Sequence, residues 1–172
     1  MRHLLMFTIA LAGAPALAGN NSAAKHLAVT SSAFPAGGAI PDDYTCAGTD
    51  TSPQLTWSNP PDSAKSVAIL VDDPDAPKGT VLHWLITGLD PQLTGLPKGA
   101  NLPDGAAVTK NEKGDAKYMG PCPPVGAPHH YHFKVYALDA QIGKPATREE
   151  FQTSIRGHVV GMGELIGTYQ KK

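Results

Sequence analysis

Val71 to Trp84 reads VDDPDAPKGTVLHW, with three acids and two prolines directly after the apolar run Val67-Ala68-Ile69-Leu70-Val71 and a histidine where the next apolar run begins. A carboxylate beside an imidazole can fix its tautomer or hold its charge, and the ring can then donate to an anion or move a proton. Each proline fixes φ and removes a backbone donor, so the loop carrying Asp73 and Asp75 is restricted to few conformations. A rigid loop suits a binding site. Read alone, the same segment also fits a plain turn, with the two aspartates as turn residues and His83 as a core histidine.

A second segment, Tyr118 to Asp139, reads YMGPCPPVGAPHHYHFKVYALD. Pro121, Pro123 and Pro124 leave too few N–H groups for an interior strand, so this stretch is a stiff surface loop. Beyond it, strand alternation places His129, Tyr131 and Phe133 on one face and His130 and His132 on the other. His129 and Tyr131 can therefore reach one pocket from a single strand. Two acids, two strand-edge histidines and a phenol hydroxyl, framed by proline rings, have the make-up of a concave site with apolar walls and few polar groups.

Two other chemistries deserve comparison. A hydrolase built on the Asp/His/Tyr group needs a nucleophile beside His83 or His129, and no Gly-x-Ser-x-Gly elbow is present. Cys122 is a candidate nucleophile only if its sulfur is free. His130 and His132 make an H-x-H on one strand face, yet a metal site needs a third or fourth ligand and the sequence declares none. The expectation is a binding protein without metal, cofactor or catalytic residue.

The elements that must position these groups are mostly strands. Leu27 to Thr30 alternates weakly and Gln54 to Trp57 well; Ser66 to Val71 is a nearly continuous apolar run suited to a strand covered on both faces. His83 to Leu89 follows as its neighbour. Thr94 to Gly114, rich in Gly, Pro, Asn and Lys, reads as a long irregular connection, and His130 to Leu138 alternates again. Ala146 to Gly157 is the one helical stretch, with Thr147 as N-cap and Glu149 and Glu150 in its first turn. Gly157 to Gly161 reads as a helix end and Gly167-Thr168-Tyr169 as a last short strand. Trp57 and Trp84 belong to the core, Trp84 as a candidate floor under the pocket. Asp73-Pro74 and Ala76-Pro77 are the candidate cis bonds. With 16 Pro and 18 Gly along the chain, long helices are disfavoured. The expected fold is mainly β, antiparallel, with one or two short flanking helices.

Met1-Arg2-His3, the apolar stretch Leu4 to Leu11 and Ala16-Leu17-Ala18 together read as a secretory signal, residues 1–18, leaving one domain over residues 19–172. The apolar stretch falls short of the roughly 20 residues that a membrane helix needs. No Cys follows the cleavage site to carry a lipid, so the domain is expected to be periplasmic or secreted. Net charge is −1 with no Lys/Arg cluster, which excludes an electrostatic footprint for nucleic acid or an anionic membrane. Cys46 and Cys122 are the two cysteines. In an exported chain they suit a disulfide closing about 75 residues and worth about 4 kcal/mol, the alternative being two separate buried thiols.

Asp73-Pro74-Asp75-Ala76-Pro77, His83-Trp84, Tyr118-Met119-Gly120-Pro121-Cys122-Pro123-Pro124 and His129-His130-Tyr131 stand in the order of the signature motifs of the phosphatidylethanolamine-binding protein family. The chain resembles its bacterial Raf-kinase-inhibitor-like branch from about Phe34 to Tyr169. The resemblance implies a Greek-key β-sandwich with a small anion pocket for phosphate or a phospholipid headgroup. Carried over by position, Asp73, Asp75, His83, Pro123, Pro124, His129 and Tyr131 line it, with Gly120 allowing close backbone approach. Where the family commonly has Arg, this chain has His130. Two carboxylates repel a phosphate, so at least one is expected to orient a histidine or tyrosine or to share a proton with the ligand oxygen, the favoured arrangement being an Asp–His pairing in which Asp73 serves His83 or His129. The implied partner is a phosphate-bearing small molecule or lipid headgroup, with a protein partner at the pocket rim as a further role. Neither the partner's identity nor the oligomeric state, homodimer included, follows from the fold.

Overall fold

The computed structural model describes residues 23–172, and the expected signal, residues 1–18, lies outside them. In chain order the elements are β1 Lys25–His26, β2 Val29–Thr30, β3 Leu55–Trp57, β4 Ser66–Asp73, β5 Val81–Leu89, β6 Gly95–Leu96, β7 Ala107–Val108, β8 His129–Leu138, α1 Arg148–Ser154 and β9 Val159–Tyr169. They form a six-stranded sheet in the order β1-β9-β8-β4-β5-β7 and a three-stranded sheet in the order β2-β3-β6. Neighbours are antiparallel except β1 and β9, which run parallel. The chain leaves β5 on one side of β4 and returns as β8 on the other, the long return of a Greek key.

β4 is buried along its whole length because it is covered twice. Ile69 and Val71 face the small sheet, packing with Leu27, Leu55 and Trp57. Ala68 and Leu70 face the other way, toward Phe151 and Ile155 at the helix. α1 is anchored by Phe151, which is fully buried; burying such a side chain contributes about 2–3 kcal/mol. Its start is set by Thr147, whose hydroxyl accepts from the Glu150 N–H. On this same face the buried Asp72 accepts from Lys134 Nζ at 2.7 Å and Arg148 Nε at 3.0 Å, tying helix to sheet.

Three expectations need correction. The connection over residues 94–114 is not wholly irregular: β6 and β7 pin it to the two sheets. Gly157 and His158 do close the turn after α1, but Val159 to Tyr169 is no helix end plus short strand: β9 is one eleven-residue strand paired with nearly all of β8. Its glycines disguise it. Gly161, Gly163 and Gly167 are buried on the core face, where the N-terminal segment crosses so closely that a Cβ on Gly163 would collide with the Leu27 carbonyl. Third, no peptide bond among the described residues is cis, so neither Asp73-Pro74 nor Ala76-Pro77 is.

Candidate functional site

The end of β4, the start of β5 and the start of β8 meet at one edge of the large sheet. Antiparallel pairing sets Asp72 opposite His132, so the next residue, Asp73, meets the His129 and Tyr131 face of β8. On the other side, Val71 pairs with Trp84 while Asp72 pairs with Leu82. His83 is therefore the extra residue of a β-bulge, a device that re-aims a side chain next to a site. Leu82 joins the helix-side cluster, Trp84 the inter-sheet core, and His83 turns to the cavity between β5 and β8.

That cavity measures about 290 Å³. Ala76, Pro77, Val81, Met119, Pro123 and Pro124 form its apolar walls; Asp73, His83, Gly120, His129 and Tyr131 also line it. Lys78, Glu112 and Lys113 are exposed lining residues and set its rim. These rim charges lie in stretches whose motif carries no signal beyond polarity. Trp84 does not line the cavity: it packs edge-on against Tyr118 and borders a separate hollow near Asp50.

Each polar group has a distinct environment. Asp73 is buried and accepts twice: Oδ1 from the Asp75 N–H at 2.9 Å, Oδ2 from His129 Nδ1 at 2.8 Å. His83 is not its partner. The His83 Nδ1–H donates to the Met119 carbonyl at 2.7 Å, and burial holds this imidazole below the usual histidine range. The ring meets Tyr131 edge-on, with centroids 5.1 Å apart. The Tyr131 hydroxyl is buried and, among the described residues, has no hydrogen-bond partner. Burial, then the Asp73 charge and that carboxylate's closeness as an acceptor, pushes its ionisation well above the usual phenol range, although the contact falls short of a well-aligned hydrogen bond.

Asp75 lies outside the cavity lining. It is exposed, and its Oδ2 accepts from both the backbone N–H and Nδ1 of His130, the latter at 2.7 Å. Those bonds hold its carboxyl below the usual carboxylate range. It thus clamps the DPDAP loop to β8 through His130. His132 in turn pairs with Glu164 at 2.7 Å. The two H-x-H residues each hold a separate carboxylate, and among the described residues no cluster of three or more His, Cys, Asp or Glu could hold a metal ion.

Gly120 lines the cavity and also allows a close approach within the protein. A Cβ there would strike the Tyr44 carbonyl and the Asp50 carboxylate, whose Oδ1 accepts from the Gly120 N–H at 2.6 Å. Asp50 itself adopts φ 55°, a left-handed conformation that a short polar side chain tolerates. Cys46 and Cys122 are bridged, with Cα atoms 5.4 Å apart, and Cys122 lines the cavity. Nothing local in the sequence marks Asp50 or Met119, because their roles depend on loops brought together over some 70 and 36 positions.

The chain is thus a two-sheet β domain with an apolar-walled, polar-floored cavity at a sheet edge, the kind of concavity in which small ligands are commonly held. By comparison with known proteins, the chain belongs to the phosphatidylethanolamine-binding protein family, whose sequence model matches residues 30–170. A UPF0098 protein of Methanothermobacter thermautotrophicus is 43% identical over 145 residues, covering 81% of this chain and 95% of the relative. A Mycobacterium tuberculosis relative, named as a candidate lipoprotein, LppC, is 37% identical, covering 86% of this chain and 74% of its own length. Among solved structures, a phosphatidylethanolamine-binding protein homologue of Chlamydia trachomatis superposes with a TM-score of 0.78 at 36% identity, covering 87% of this chain and all of that one. E. coli YbcL, described as a member of the mammalian family, gives a TM-score of 0.78 at 33% identity, covering 85% of this chain and 99% of its own. No helix among the described residues is long and apolar enough to cross a membrane.

Proposed function

We propose that this protein is an exported binding protein whose cavity takes phosphate or a phosphoryl headgroup, and that it is not an enzyme. The observation that carries the reading is the buried Tyr131 hydroxyl, which makes no well-aligned hydrogen bond among the described residues although the Asp73 carboxylate lies close to it, beside the Asp73–His129 pair in an apolar-walled cavity. A buried donor left unpaired costs free energy that an incoming oxygen recovers. His129 adds a second donor in the form that carries both ring protons: Nδ1–H serves Asp73 and Nε2–H serves the anion. Asp73 acts through His129, Asp75 through the loop that it clamps, and Pro123 and Pro124 shape the wall. The cavity lining holds no serine or threonine, and its one cysteine, Cys122, is committed to the bridge. The disulfide and the lipoprotein-named relative support a location outside the cytoplasm. A partner protein reading the occupied rim, over Lys78 and Lys113, is the further role consistent with this site.

The test uses the sign of one substitution. If Asp73 only contributes charge, Asp73→Asn strengthens anion binding by removing a negative charge near the ligand. If it orients His129, Asp73→Asn weakens phosphate binding by about 1–3 kcal/mol, His129→Ala does likewise, and the double variant loses less than the sum. Calorimetric titration at pH 6 and pH 8 reads all branches, and affinity equal to or above wild type in Asp73→Asn rejects the orienting role. Steady turnover of aryl phosphates or esters that disappears in His83→Ala would replace the binding reading with a hydrolase.

A further inference from the structure

We infer that the cavity selects its anion by a proton: it takes a phosphoryl group that still carries one P–O–H, with that hydroxyl donating to Nε2 of His83, in preference to sulfate or a phosphodiester. The inference rests on the phosphate reading and narrows it to phosphate monoesters and inorganic phosphate.

The argument begins at Met119. Its carbonyl oxygen can only accept, so the 2.7 Å contact fixes the proton on His83 Nδ1. In the neutral ring Nε2 is then a bare lone pair. That nitrogen has no hydrogen-bond partner among the described residues, and His83 lines the cavity. Burial keeps the imidazole neutral, so it stays an acceptor. The cavity wall therefore offers an acceptor, His83, edge-on to a donor, Tyr131. A phosphoryl group with one hydroxyl and one bare oxygen matches both; sulfate and diesters bring only acceptors and set lone pair against lone pair. The neighbouring charges act in the same direction. The buried Asp73 and the rim residue Glu112 disfavour a second negative charge on the ligand.

The other groups that face the ligand or His83 are His129, Lys78 and Lys113 in the cavity, with Asp72 and Asp50 acting on His83 from farther away. The two lysines attract any small oxyanion in proportion to its charge, so their effect cancels in a ratio of affinities between anions of equal charge, as for the methyl phosphate monoanion against methyl sulfate. That makes the ratio the measurement of choice. Mature protein, in a buffer free of both anions, is titrated at pH 6.5 with phosphate against sulfate, with methyl phosphate against methyl sulfate, and with phosphoethanolamine against glycerophosphoethanolamine. The last pair separates a free monoester from the diester of a lipid headgroup. Each monoester or phosphate is expected to bind about tenfold or more tightly than its partner, the size of one mismatched buried polar contact. In His83→Phe, which keeps the ring volume and removes the acceptor, the ratios fall toward one. Independently of that variant's folding, the ³¹P resonance of phosphate bound to wild type should titrate at higher pH than free phosphate. Equal affinity for sulfate and phosphate, or an unshifted ³¹P titration, overturns proton selection while leaving phosphate binding standing. Tighter binding of the diester also overturns it, in favour of a lipid headgroup. If none of the six anions binds, the phosphate reading falls and this inference with it.

Discussion

A buried phenol without a well-aligned hydrogen bond costs a folded protein free energy, and among the described residues Tyr131 has that arrangement next to the Asp73 carboxylate. Its side chain thus serves two opposed ends. Tyr131→Phe should raise the stability of the ligand-free protein by about 1 kcal/mol, read by urea unfolding, while weakening phosphate binding. A variant that is less stable as well as weaker in binding would show the hydroxyl to be structural. His83 supplies a pH effect of known sign. Burial lowers its folded pKa beneath the unfolded 6.5. Below about pH 6.5 the unfolded chain takes up a proton that the folded chain does not, so stability falls with pH through this window. Asp75 acts lower: its folded pKa is depressed, so its contribution is complete above the unfolded value of 3.8 and is lost only as the pH falls below it. Unfolding midpoints at pH 7.5 and 5.5 should differ by less in His83→Phe than in wild type. An unchanged difference would assign the loss to other groups.

At the scale of elements, β9 shows how close packing overrides local preference. Glycine weakens a strand for want of a side chain to pack, yet Gly161, Gly163 and Gly167 recur on the core face of an eleven-residue strand. What they lose in propensity they regain by letting the Leu27 segment, Phe34 and Ile40 lie against the backbone. Gly163→Ala should therefore destabilise by about 1–3 kcal/mol through overpacking. Gly143→Ala is the control, since a Cβ at that position meets nothing within 4 Å, and it should change stability by no more than about 0.5 kcal/mol. Equal thermal shifts in the two variants would refute the packing account. The β-bulge in β5 belongs to the same scale: without the extra residue His83 would follow the strand alternation between Leu82 and Trp84 and would not address the cavity.

Over the whole molecule, the bridge from Cys46 to Cys122 joins positions 76 apart and ends in the cavity wall. It does not act alone. The Cys46 N–H donates to the Pro121 carbonyl, the Tyr118 hydroxyl to the Tyr44 carbonyl, and the Gly120 N–H to Asp50, so one loop is fastened to the prolyl wall four times. Thiol counting on denatured, unreduced protein should find neither cysteine free. Reduction should lower the melting temperature, by an amount corresponding to at most about 4 kcal/mol, and should weaken phosphate binding in the same step because the wall loses its covalent tie. Unchanged affinity on reduction would show that the three hydrogen bonds hold the wall unaided.

Much of this was legible in the chain itself. The continuous apolar run before Asp73 fixes a strand covered on both faces, the alternation from His129 puts His129 and Tyr131 together, Thr147 marks the start of the helix, and the prolines from Pro121 to Pro124 exclude a strand. These are properties of neighbours along the sequence, decided by side-chain periodicity, capping and φ. The sequence also favoured a histidine partner for Asp73, but the choice between His83 and His129 was made in three dimensions, as was the separation of Asp75 from the cavity lining. Both depend on the register of β4 against β8 and on a one-residue bulge in β5. Shifting a strand by one residue exchanges its faces, and register is set by packing between residues some 60 positions apart, for which local pattern carries no signal. The glycine-lined β9 was hidden for the same reason: its stability resides in the segment lying across it, and only the assembled core brings that segment there.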